Sequence, residues 1–170
     1  GGYQARASFA RLNGDGTLAA GFNFAIRTLG NIGINSSQPL AGGKVLVTGY
    51  FTHLRGVAVP NSIARINADG TVDATFNAGG AGANYNVQVA AVQPDGRIVI
   101  SGQFSAYNGV NTGRIARLKA DGTLDPTFNP GGGLNLPAYT LQFLSGGRVF
   151  VGGLFTAIDG VGAERVAVLH

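Results

Sequence analysis

Of 170 residues, 29 are Gly, 12 are Lys or Arg and 8 are Asp or Glu, a formal net charge of +4, and Cys, Met and Trp are absent. At 45% hydrophobic and 12% charged, the chain is too apolar for disorder. Its glycines keep no three-residue period, which excludes collagen, and the lack of Cys excludes disulfides and thiolate metal sites.

The start, Gly1-Gly2-Tyr3, has no Met, basic segment or apolar h-region, and reads as a processed or internal end. No apolar run reaches the ~18–20 residues of a membrane span. Phe9-Ala10-Arg11-Leu12-Asn13-Gly14-Asp15-Gly16-Thr17-Leu18 is the first copy of a phrase that recurs at Ile63–Val72 and Ile115–Leu124. Arg65 follows Arg11 by 54 residues, and Arg117 follows Arg65 by 52. Each copy leads to Phe-Asn, at Phe22-Asn23, Phe76-Asn77 and Phe128-Asn129. A second phrase alternates with it: Gly43–Thr52, Gly96–Ser105 and Gly147–Thr156. A period in this range marks stacked supersecondary units, and it sets the fold.

The second phrase is short, β-branched and bounded by Gly, which is a strand signal. Asp-Gly at Asp15-Gly16, Asp69-Gly70, Asp95-Gly96 and Asp121-Gly122 supplies tight turns, because Gly accepts positive φ and Asp bonds its own backbone. No sustained 3.6-residue apolar period occurs, so almost no helix is expected. The middle repeat predicts four strands, near 87–93, 97–104, 114–118 and 123–128. The chain reads as one repeat domain, 1–170, divided near 1–30 (two strands), 31–82, 83–134 and 135–170 (three strands, ending on Val166-Ala167-Val168-Leu169). The fold class is all-β, with about three four-stranded propeller blades. Propellers typically close with ~4–8 blades, so two copies in a six-bladed homodimer would complete a ring. A β-trefoil, with three four-stranded repeats in a self-closing barrel, is the alternative.

The phrases Ile115–Asn129 and Gln93–Phe104 resemble the delta-60 repeat β-propeller family of bacterial proteins, and the resemblance runs through the chain in three passes. The first repeat departs most, with Ala19 where Asp73 and Asp125 stand later. The resemblance implies a propeller in a secreted or cell-surface bacterial protein. It implies no catalytic residues.

Asn67, Asp69 and Asp73 form the one candidate Ca2+ set, since a calcium loop needs oxygen ligands at alternating positions. The alternative is a hairpin turn, and nothing else in the sequence asks for a cofactor. Arg11, Arg65 and Arg117 either present cations to an anion or lie along the sheet with their heads paired to a carboxylate or carbonyl. With the basic residues scattered singly, no nucleic-acid stripe forms. The recurring Phe51, Phe104 and Phe155, with Phe22, Phe76 and Phe128, suit the wedge between units. The aromatics outside the repeat, Tyr3, Tyr50, Tyr85, Tyr107 and Tyr139, are better ligand candidates, and Tyr85 with Asn84 and Asn86, and Tyr107 with Asn108, have the composition of a ligand site in loops. The function expected is a non-catalytic recognition or scaffold module that binds protein or glycan through inter-strand loops. One alternative is a hydrolase or lyase at the propeller axis, with Asp159 and Glu164 as the only late acidic pair. A second is a structural spacer in a longer array. Only His53 and His170 are available for His chemistry, and no Ser-His-Asp set is indicated.

Overall fold

The computed structural model describes residues 12–17 and 33–170. The repeat builds the same unit three times. In the first, β1 (Gly33–Pro39), β2 (Val45–Tyr50) and β5 (Ile63–Ile66) form an antiparallel sheet in that order, and β3 (His53–Leu54) and β4 (Val57–Ala58) form a short hairpin between β2 and β5. The second has β6 (Val87–Val92), β7 (Ile98–Gly102), the hairpin β8 (Ala106–Tyr107) and β9 (Val110–Asn111), and β10 (Ile115–Leu118). The third has β11 (Ala138–Phe143), β12 (Val149–Gly153), the hairpin β13 (Ala157–Ile158) and β14 (Val161–Gly162), and β15 (Val166–Leu169). The described helical content is two three-residue 3-10 turns, Ala41–Gly43 and Ser145–Gly147. The fold is all-β, as the periodicity requires. No closed barrel joins the three sheets among the described residues.

Two features differ from the sequence expectation. The fourth strand of the first and second units shrinks to a single bridge, Ile66 to Val72 and Leu118 to Leu124. The cause is the Asp-x-Thr that follows. The Asp125 carboxylate accepts from the Thr127 N–H at 3.0 Å and from its hydroxyl at 2.7 Å, which turns the chain away from the sheet. Asp73 and Thr75 do the same. The second difference is the hairpin inserted before the third strand. Its turns are Arg55-Gly56, Asn108-Gly109 and Asp159-Gly160, and all six residues have positive φ. Two such residues in succession give the tight turn that matches strand twist.

Strand alternation then decides which side chain meets which sheet. Leu46 and Ile63 of the first sheet, with Phe76, pack on Ile98, Ile100, Phe104, Tyr107 and Leu118 of the second unit. On its other side, the second sheet sends Val99 and Ile115 against Val149, Val151 and Phe155 of the third. A separate cluster of Val47, Phe51, Leu54, Val59, Ala64 and Ile66 fills the first sheet's opposite face. The sheets therefore stand side by side, with β6 packed between β1 and β11. Phe51, Phe76, Phe104 and Phe155 are buried, as a wedge role requires, and Phe128 is half-buried. Phe22 lies outside the described residues.

One glycine position is set by a close backbone approach. At the start of β1, β6 and β11 the register shifts by a bulge, opposite Gly49, Gly102 and Gly153. A Cβ on Gly102 would overlap the carbonyl oxygen of Asn86, and one on Gly49 or Gly153 would meet the carbonyl of Gly33 or Pro137. Backbone cannot yield as a side-chain tip can. Gly102→Ala is expected to lower unfolding free energy by about 3 kcal/mol or more. Gly109→Ala, at an open turn with φ of 80°, should cost about 1–2 kcal/mol from the left-handed backbone alone. Urea denaturation of the two variants measures the difference.

Candidate functional site

The repeated polar residues come first, because most of them are spent on holding the units together. Arg65 in β5 donates through Nε to Asp73 Oδ2 at 2.8 Å, and through the rest of its guanidinium to the Ala120 carbonyl at 2.7 Å and the Thr75 hydroxyl at 3.2 Å. Its guanidinium carbon lies 5.0 Å from the centre of the Phe76 ring. Arg117 repeats the arrangement with Asp125 at 2.8 Å, Thr127 at 3.0 Å and the Phe128 ring at 5.1 Å. A second cation faces each carboxylate: Lys44 Nζ lies 2.7 Å from Asp73, and Arg97 Nε lies 3.6 Å from Asp125. These arginines are clasps between the third strand and the turn after it. Arg11 lies outside the described residues.

Asn67, Asp69 and Asp73 have separate partners. Asn67 donates to the Thr71 hydroxyl at 3.0 Å. Asp69 is exposed, and its Oδ1 accepts from the Thr71 N–H and hydroxyl. The same turn appears at Asp15 with Thr17 and at Asp121 with Thr123. Asp73 is buried and shares one oxygen between Lys44 and Arg65, two charges that repel a metal cation. No group of three or more His, Asp and Glu side chains gathers as a metal site among the described residues.

The proposed ligand residues separate in the same way. Tyr107 is fully buried, and its hydroxyl donates to the Gly122 carbonyl at 2.8 Å. Burial pushes its phenol well above the usual range, reinforced by the charge of Asp121. Asn108 exchanges amide bonds with Asn77 at 3.0 and 2.7 Å and also accepts from the Gly82 N–H. Asn84 accepts from the N–H groups of Ser105 and Ala106 and donates to the Ser105 hydroxyl. Asn135 makes the same three bonds to Thr156 and Ala157. The sequence signal of this asparagine clamp is the spacing of Asn84 and Asn135, 51 residues apart.

Tyr85 and Asn86 remain at the surface, and the fold brings two further residues to them. Tyr85 is 50% exposed and its ring lies 5.4 Å, centre to centre, from that of Tyr50, also 50% exposed, with the planes tilted by 55°. Asn35 donates to the Asn86 side-chain oxygen at 2.6 Å and to the Val87 carbonyl at 3.2 Å. The group sits on the seam between the first and second sheets. Sequence separation hid it, since Asn35 and Asn86 are 51 residues apart. Asp159, by contrast, accepts from the Gly132 N–H at 2.6 Å at the tip of its hairpin, and Glu164 is exposed.

With the geometry described, comparison with known proteins places the repeat. Residues 42–76 and 93–128 match a family model described as "Domain of unknown function (DUF5122) beta-propeller". Each matched stretch runs from the turn before the second strand to the Phe of the clasp, so the same structural unit is recognised twice. In these two stretches the chain is similar to a β-propeller repeat, and its packed antiparallel sheets are consistent with that likeness. No curated protein and no solved structure matches the chain.

The clasps carry a pH prediction. Burial raises the Asp125 pKa, but hydrogen bonds from Thr127 and Arg117 outweigh it and bring it to about 2. Burial likewise opposes ionisation of Asp73, and bonds from Lys44, Thr75 and Arg65 hold it well below the usual carboxylate range. An unfolded Asp titrates near ~3.9. The stabilisation from these carboxylates is therefore present above about pH 4 and is lost as the pH falls toward 2. Asp125→Asn should cost about 1–3 kcal/mol at pH 7. In urea titrations at pH 7, 4 and 2.5, the variant should lose less stability than the parent between the last two.

Proposed function

We propose that this β-propeller is a non-catalytic recognition or scaffold module of a bacterial secreted or cell-surface protein, and that it engages its ligand at the seams between sheets. The observation that carries the reading is a contrast. Arg65 and Arg117, Asp73 and Asp125, and Asn84 and Asn135 are committed to clasps, turns and clamps, while Tyr50 and Tyr85 stand half-exposed against each other. A pair of large rings left at the surface is the type of anchor that recognition uses. The paired heads of Arg65 and Arg117 support a partner other than nucleic acid. No described helix is long and apolar enough to cross a membrane.

For ring closure we propose two copies. Three sheets fall short of the ~4–8 blades that close a propeller, and a pair of chains would supply six. Light scattering is expected to give a mass near twice 17.3 kDa, and a monomer at all concentrations would refute the dimer. The recognition role is tested by screening glycans and protein extracts with the wild-type chain and with Tyr50→Ala/Tyr85→Ala. A partner held by the wild type and lost by the double variant is expected. Turnover of any screened substrate, abolished by Asp159→Ala or Glu164→Ala, would replace this reading with the hydrolase.

A further inference from the structure

The Tyr50–Tyr85 seam has features that repeat packing does not explain. At this seam the wedge is already filled by Phe76 and Phe104, at most 2% exposed. At the next seam, Gln103 takes the position of Tyr50 and Leu136 that of Tyr85, so no ring pair forms there. The aromatic pair is therefore particular to one seam. Its ring centres lie 5.4 Å apart with the planes tilted by 55°, and each residue is half exposed.

The polar groups beside the rings are fixed but not exhausted. The bond from Asn35 to Asn86 uses one donor and one acceptor. Among the described residues, Asn35 Oδ1 and the Asn86 amide nitrogen have no side-chain partner. The Asn86 backbone is held in place as well, its carbonyl accepting from the Gln103 N–H at 2.9 Å. An amide offers a donor and an acceptor side by side, which suits a pair of adjacent hydroxyls. Asn35 and Asn86 are neutral amides.

An apolar ring face edged by neutral amides matches one chemical class. A pyranose has a C–H face that lies on an aromatic ring and a rim of hydroxyls that bond to amides. We propose that Tyr50 and Tyr85, with Asn35 and Asn86, form a subsite for a neutral pyranose unit of a carbohydrate chain. The proposal rests on the recognition reading above and narrows it to one seam and one ligand class. Tyr85 stacks on the sugar face, Tyr50 limits how it can tilt, and the Asn35–Asn86 pair sets its orientation.

The test is an amide NMR titration of the whole chain with cellohexaose, chitohexaose, mannohexaose and xylohexaose. Tyrosine fluorescence is a second readout, free of tryptophan because the chain has none. At least one sugar is expected to shift the amides of Gly33–Asn35, Tyr50, Tyr85–Val87 and Gln103. Tyr85→Ala and Tyr50→Ala should each weaken binding by about tenfold, the scale of one lost ring contact. Tyr139→Ala, at a half-exposed tyrosine in β11 away from the seam, should bind as the wild type does. Circular dichroism melts of each variant separate lost binding from lost fold, and Asn86→Asp offers a milder change at the same place. Binding that survives both seam variants overturns the site and leaves the recognition reading standing. Binding of polygalacturonate or heparin with no response to the four neutral sugars overturns the ligand class. No response to any of the six overturns the proposal, while the protein-extract screen with the double variant still judges the broader reading.

Discussion

Both faces of the second sheet are apolar, and neither can stay in water at acceptable cost. Ile98 and Ile100 point one way, and Val99 and Ile115 the other, each at most 1% exposed. A sheet of this kind needs a neighbour on each side, and here each neighbour is another copy of the same unit. Side-by-side stacking of sheets follows directly. The first and third sheets each meet the second with one face, and the whole arrangement is propagated by alternation along strands of only four to seven residues.

Stacking by apolar faces alone would leave the outer part of each unit loose, because the fourth strand is reduced to one bridge. The Arg-Asp-Thr-Phe clasp replaces the missing strand. Arg65 joins its own strand to the turn carrying Asp73 and Thr75, covers Phe76, and reaches the carbonyl of Ala120 in the next unit. A hydrophobic wedge and a charged clasp thus share one residue, with the guanidinium lying over the ring that fills the gap.

The candidate site depends on the same stacking. Tyr50 ends a strand of the first sheet and Tyr85 leads into the second, so they meet only because the two sheets pack. The residue types in the loops pointed toward Tyr85 and Asn86. They also pointed toward Tyr107, Asn84 and Asn108, whose side chains hydrogen-bond within the fold. Tyr107 is a core residue whose hydroxyl finds the Gly122 carbonyl, and no local pattern distinguishes such a tyrosine from an exposed one.

What the sequence determined by itself was the unit and its repetition. Alternation, Asp-Gly turns and recurrent Gly and Phe identify strands, turns and wedge residues, because these depend on contacts within a few residues of each other. The arginines' role was also legible, since their carboxylates lie eight residues away in the same unit. Only the tertiary structure decided the rest. It shortened the fourth strand, placed Gly102 under the Asn86 carbonyl, and buried Tyr107 while leaving Tyr50 and Tyr85 in contact at the surface. Each of these outcomes turns on which face of one sheet meets the next, and that is set by packing between residues some 20 to 50 positions apart. The high glycine content belongs to both levels: most of it punctuates turns, and a few positions exist to let two backbones touch.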